Sequence, residues 1–149
     1  DPGSLTPRGW QRAGALAVLF SGGVPGWPRP DALFACGDEG GQSRRPVQTL
    51  TTLARRLGLP LDSGMQEGDE PLLLRRAALF DDVVLICWRH ESLARLARLV
   101  VGDRHGVPVA WPADRYDLVW RLVRGVGGVW RFEQRPQRLL DGDAPEPAR

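Results

Sequence analysis

The sequence predicts an α/β fold: a three-layer sandwich with a mostly parallel central sheet, helices on both faces and a late antiparallel hairpin. Three features carry this reading. Segments with helical apolar spacing alternate with short apolar runs. Residues 82–88 (DVVLICW) are almost continuously apolar, the pattern of an interior parallel strand with helices on both faces. Near the end, two strand-like segments flank the glycine-rich turn RGVGG, as in a hairpin.

The elements follow in order. Thr6 and Pro7 suit the N-cap and first position of a helix. Trp10, Ala13, Leu16, Ala17 and Phe20 then share one face, and Ser21-Gly22-Gly23 ends it. Residues 31–36 (DALFAC) read as a short buried strand, followed by the loop GDEGGQ. Ser43 is placed to cap a second helix with Pro46 in its first turn, where a missing N–H costs little. That helix carries Leu50, Leu53, Ala54 and Leu57 on one face and ends at Gly58. Residues 61–70 read as a loop, and a third helix runs from Asp69 or Glu70 to Phe80. A fourth, over about residues 91–101, turns Leu93, Leu96, Ala97 and Val100 inward. Strands over 116–123 and 129–134 close the order. The first helix lacks the preceding strand that an α/β sheet normally supplies.

A chain of 149 residues fits one domain, assigned to residues 1–140, with the polar tail 141–149 (DGDAPEPAR) expected to be disordered. No run of 18 apolar residues exists, so no membrane partner is expected. The opening DPGSLTPRGWQR lacks the basic head and apolar core of a signal peptide, which points to a cytoplasmic location. All 20 basic residues are Arg, interspersed with 18 acidic ones for a net charge of +2. That scatter argues against a nucleic-acid surface, which needs a clustered basic patch. Cys36 and Cys87 lie in apolar runs and read as buried, reduced thiols. With no CxxC or Cys/His ligand spacing, no metal and no cofactor are expected.

Three segments resemble the histidine phosphatase (phosphoglycerate mutase-like) superfamily, in its small-phosphatase form. Ser43-Arg44-Arg45-Pro46-Val47-Gln48-Thr49 is similar to the family's S…R-A-x-Q-T pattern at a loop-to-helix junction. Residues 83–92 (VVLICWRHES) are similar to its strand that ends in a histidine and leads into a helix. Residues 5–13 (LTPRGWQRA) look like its L-T-x-x-G-x-x-Q-A helix start. The resemblance covers nearly the whole chain and implies that Ser43, Arg45 and His90 bind phosphate. The chemistry is sound: a guanidinium fork pairs with two phosphate oxygens, and a helix N-terminus adds partial positive charge. His90 follows the carboxyl end of a buried strand, where open α/β sheets form their ligand crevices.

The resemblance also implies a general acid, either Glu91 directly after the histidine or a carboxylate from the loop holding Glu67, Asp69 and Glu70. Glu70 and Glu91 lead. A Glu in a first helical turn also favourably opposes the helix dipole without any catalytic duty. The family's nucleophile is a histidine in an R-H-G, R-H-A or R-H-E motif ending a first strand, and that motif is expected upstream of Asp1. Arg104-His105-Gly106 spells R-H-G, but follows the fourth helix and reads as a surface loop. Among the tryptophans, Trp88 and Trp111 are placed to line a site, and Trp120 and Trp130 to pack a core.

The resemblance implies a metal-independent phosphohydrolase that acts through a phosphohistidine intermediate on a phosphorylated small molecule or phosphoprotein. A non-catalytic phosphate or phosphoprotein binding module is the alternative. A scaffold whose motifs match by coincidence is the third reading.

Overall fold

The computed structural model describes residues 1–102 and 106–148. The fold is α/β, with a three-stranded parallel sheet, helices and a late two-stranded antiparallel hairpin. The chain divides into two compact units, Asp1–Arg89 and His90–Arg149, a finer division than the one domain expected from length. Among the described residues no helix is long and apolar enough to cross a membrane.

The first unit begins with α1 (Pro7–Leu19), capped as expected: the Thr6 side chain accepts from the Gly9 N–H. Ala13, Leu16, Ala17 and Phe20 are buried, but Trp10 is 46% exposed and leaves the predicted face. It sits in the first turn of α1, the helix that packs against α2 (Arg45–Leu57). Leu50, Leu53, Ala54 and Leu57 of α2 are buried, and α2 contacts all three strands. Gly58 ends α2 in the left-handed conformation, φ 65°, with the Leu59 N–H donating to the Ala54 carbonyl at 3.1 Å. The helix starts at Arg45 with Arg44 as its cap residue, not Ser43. The Ser43 hydroxyl instead accepts from the Arg45 N–H at 3.3 Å.

The sheet order is β2 (Leu61–Asp62), β1 (Ala32–Ala35), β3 (Val84–Cys87), all parallel. Two sequence expectations change here. The segment 61–70 contains a strand, β2, too short for any periodicity to reveal. The interior strand is β1, not β3, which among the described residues pairs with β1 alone. An apolar run reports burial of the faces and says nothing about position in the sheet. All four residues of β1 are buried. The helix α3 (Glu70–Ala77) is shorter than expected, because Leu79 and Phe80 donate three residues back and tighten the last turn. Phe80 then meets Phe34 edge-on at 6.1 Å.

The second unit holds α4 (His90–Val101), which packs on the hairpin β4 (Leu118–Arg124) and β5 (Trp130–Pro136). Its buried residues are Ala94, Leu96, Ala97 and Val101. Trp120 stands between Trp111 and Phe132, with ring centroids at 4.9 and 5.1 Å. Composition predicts a disordered tail; in the structure residues 141–148 make several hydrogen bonds. Asp117 accepts from the Ala144 N–H at 2.8 Å, Arg115 donates to the Glu146 carbonyl at 3.0 Å, and Asp143 accepts from the Leu139 and Leu140 N–H groups.

Two predictions follow from these contacts. A Cβ on Gly37 would lie 2.5 Å from the Ser63 carbonyl oxygen, whereas one on Gly14 in α1 meets nothing within 4 Å. Gly37→Ala should therefore cost about 1–3 kcal/mol, and Gly14→Ala should add about 0.5–1 kcal/mol, both read as shifts in the denaturant midpoint. At Asp117, burial opposes the charge, but Arg115 at 2.7 Å and the Ala144 N–H outweigh it and hold the carboxyl below its ordinary value. A lowered carboxylate contributes stability above its unfolded value and loses it as pH falls through the folded one. Asp117→Asn should thus lower stability at neutral pH and flatten the loss that sets in as pH falls below about 4, followed by thermal unfolding at falling pH.

Candidate functional site

The carboxyl edge of the parallel sheet gathers three loops: residues 37–44 after β1, 63–69 after β2, and 88–89 after β3. Backbone bonds hold them together, Gly37 N–H to the Met65 carbonyl at 2.8 Å and Cys36 N–H to the Cys87 carbonyl at 2.9 Å. Gly37 permits the first, since any side chain there would strike the Ser63 carbonyl. Arg89 ties all three loops: it donates to the Gln42 side chain at 2.6 Å and lies 3.7 Å from the Glu67 carboxylate. The sequence reading missed this residue. In a chain whose 20 basic residues are all Arg, one more Arg carries no signal.

Beneath this rim lies a buried polar contact. Glu70, at the start of α3, has no exposed surface. It accepts from the Trp88 indole N–H at 3.2 Å and from the Gly68 N–H at 3.2 Å. Trp88 is itself 5% exposed. The two thiols lie close by and are free. Burial pushes the Cys36 thiol above its ordinary value, offset in part by the Glu67 N–H and the Arg89 charge. Burial pushes Cys87 up to about 12, against a hydrogen bond from Thr49. Both are therefore protonated and poor nucleophiles at neutral pH.

Arg45 occupies the first position of α2 and is exposed. Its guanidinium faces residues 1–5: Nε donates to the Ser4 carbonyl at 3.1 Å and Nη2 to the Pro2 carbonyl. The same segment supplies further contacts. The Arg44 N–H donates to the Gly3 carbonyl at 2.8 Å, Arg44 pairs with the Asp1 carboxylate, and Gln48 accepts from the Leu5 N–H at 2.8 Å while donating to the Ser4 hydroxyl at 3.1 Å. Asp38 accepts from the Ser43 N–H at 2.8 Å and shapes the approach to the helix.

The predicted residues thus fall into three groups. Ser43 and Arg45 are neighbours at the start of α2. Glu70 is locked beneath the rim with Trp88. His90 and Glu91 open α4 in the second unit, both about half exposed, with Nδ1 and Oε2 3.6 Å apart. Of the two candidate acids, Glu91 has solvent access and Glu70 has none. Arg104 and His105 lie outside the described residues. No group of three or more His, Cys, Asp or Glu able to hold a metal occurs among the described residues. Comparison with protein-family models, with curated proteins and with solved structures finds no match.

Removing the Glu70 carboxylate strands two donors. Glu70→Ala should cost about 2–4 kcal/mol, while Glu70→Gln, which keeps a carbonyl acceptor, should cost about half as much or less. Equilibrium denaturation followed by tryptophan fluorescence reads both, and the indole emission should shift only in the Ala variant.

Proposed function

We propose that this chain is the phosphate-binding part of a phosphohydrolase of the histidine phosphatase kind. The observation that carries this reading is the local setting of the two motifs. Arg45 opens a helix after a loop that leaves the buried parallel strand β1, and His90 opens a helix after β3. These are the loop-to-helix and strand-to-helix settings that the resemblance requires. Both follow the carboxyl ends of parallel strands, where α/β sheets bind ligands.

In this reading Arg45 pairs with phosphoryl oxygens through its fork, and His90 donates a hydrogen bond to the transferring group. Charge that develops on the equatorial oxygens is what such donors stabilise. A histidine upstream of Asp1, expected from the resemblance, attacks phosphorus as the bond to the leaving oxygen breaks. Glu91, the accessible acid, protonates that oxygen. Water then attacks the phosphohistidine, giving inorganic phosphate and the free histidine. Glu70 holds Trp88 in place beneath the rim. The substrate is a phosphorylated small molecule or phosphoprotein, and no metal or cofactor takes part.

The test compares residues 1–149 with a chain extended upstream to include an apolar strand ending in R-H-G, R-H-A or R-H-E. The extended chain should hydrolyse an aryl phosphate, and His90→Ala should lower its kcat/KM by about 10²-fold or more. Residues 1–149 should bind phosphate or vanadate without turnover. Binding without turnover in both forms identifies a non-catalytic phosphate-binding module instead. Turnover by residues 1–149 alone moves the nucleophile to His105 and overturns the scheme.

A further inference from the structure

We infer that residues 1–5 form a strap that must leave before phosphate binds at the start of α2. This inference rests on the reading of Arg45 as a phosphate ligand. The argument is one of donor occupancy. An anion at this helix start would use the N–H groups of the first turn and the Arg45 fork. Four of the donors at this helix start already have acceptors. The Arg44 N–H is taken by the Gly3 carbonyl, the Arg45 N–H by the Ser43 hydroxyl, Arg45 Nε by the Ser4 carbonyl and Nη2 by the Pro2 carbonyl. Three of the four acceptors belong to the strap. Its carbonyl oxygens stand where phosphate oxygens would bond, so the two occupants exclude each other.

The strap is built to be displaced. Its hold consists of exposed hydrogen bonds to Arg44 and Arg45, two half-buried ones to Gln48, and the exposed Arg44–Asp1 pair, contacts that are individually weak. Leu5, half-buried, is its one apolar side chain apart from Pro2. The carbonyls it offers are neutral, whereas phosphate makes charge-assisted bonds with the same donors. Phosphate therefore favours the open state and the strap the closed one. The apparent affinity is the intrinsic affinity reduced by the closed population.

Calorimetry with inorganic phosphate on the full chain tests this, alongside amide exchange at Leu5. Gln48→Ala removes both side-chain ties to the strap and leaves Arg45 intact. Ser4→Ala, on the strap itself, removes the hydroxyl that meets Gln48 and Arg44. Each should bind phosphate about 3–10-fold more tightly than the parent, and phosphate should speed exchange of the Leu5 amide in the parent chain. Arg45→Ala should abolish binding in every background. If phosphate binds through Arg45 with equal affinity in all three chains and Leu5 exchange does not change, the strap inference fails and the Arg45 reading stands. If no form binds phosphate, both fall.

Discussion

The strand β1 has no free face and no free edge. Its four residues, Ala32–Ala35, are all buried, and it hydrogen-bonds to β2 on one side and β3 on the other. Parallel strands tolerate burial on both faces because every backbone N–H and C=O finds a partner within the sheet. That single constraint aligns three carboxyl ends. The loops leaving them are then forced together, and Gly37 lets one backbone settle against another where a side chain would strike. The rim that carries Arg45, Gln42, Glu67 and Arg89 is a consequence of how this one strand is enclosed.

Burial then sorts the polar contacts on that rim into two kinds. The Glu70–Trp88 contact is enclosed, and water cannot replace it, so breaking it leaves desolvated donors. Such a contact fixes geometry. The contacts of Arg45 and Arg44 with residues 1–5 are exposed, and each can be exchanged for water or an anion at small cost. Such contacts suit a switch. The proposed phosphate site would rest on this pairing of a rigid floor with an exchangeable rim.

Local signals in the sequence located much of this. Thr6-Pro7 and Gly58 marked helix ends because capping and left-handed backbone are decided within a few residues. The spacing of Leu50, Leu53, Ala54 and Leu57 named the buried face of α2 because one face of a regular helix must meet the core. Other features escaped for equally physical reasons. β2 has two residues, too few for a pattern, and exists because β1 offers it an edge. Trp10 follows the helical spacing but is about half exposed. The tail 141–148 has a polar composition, and its hydrogen bonds to Asp117, Arg115, Leu139 and Leu140 have no local signal. Arg89 is one arginine among many in sequence, and only its position ties three loops.

The sequence by itself determined the class of fold and the order of the main helices and strands. These depend on periodicity, capping and short-range spacing, which any stretch of chain carries alone. Only the tertiary structure decided which strand is interior, which carboxylate is enclosed and which is accessible, and what the Arg45 guanidinium touches. Those outcomes depend on pairs far apart in the chain, Arg45 with Pro2 and Ser4, Glu70 with Trp88, Arg89 with Gln42. Such pairs are set by how the whole sheet closes around β1, and no local pattern encodes that.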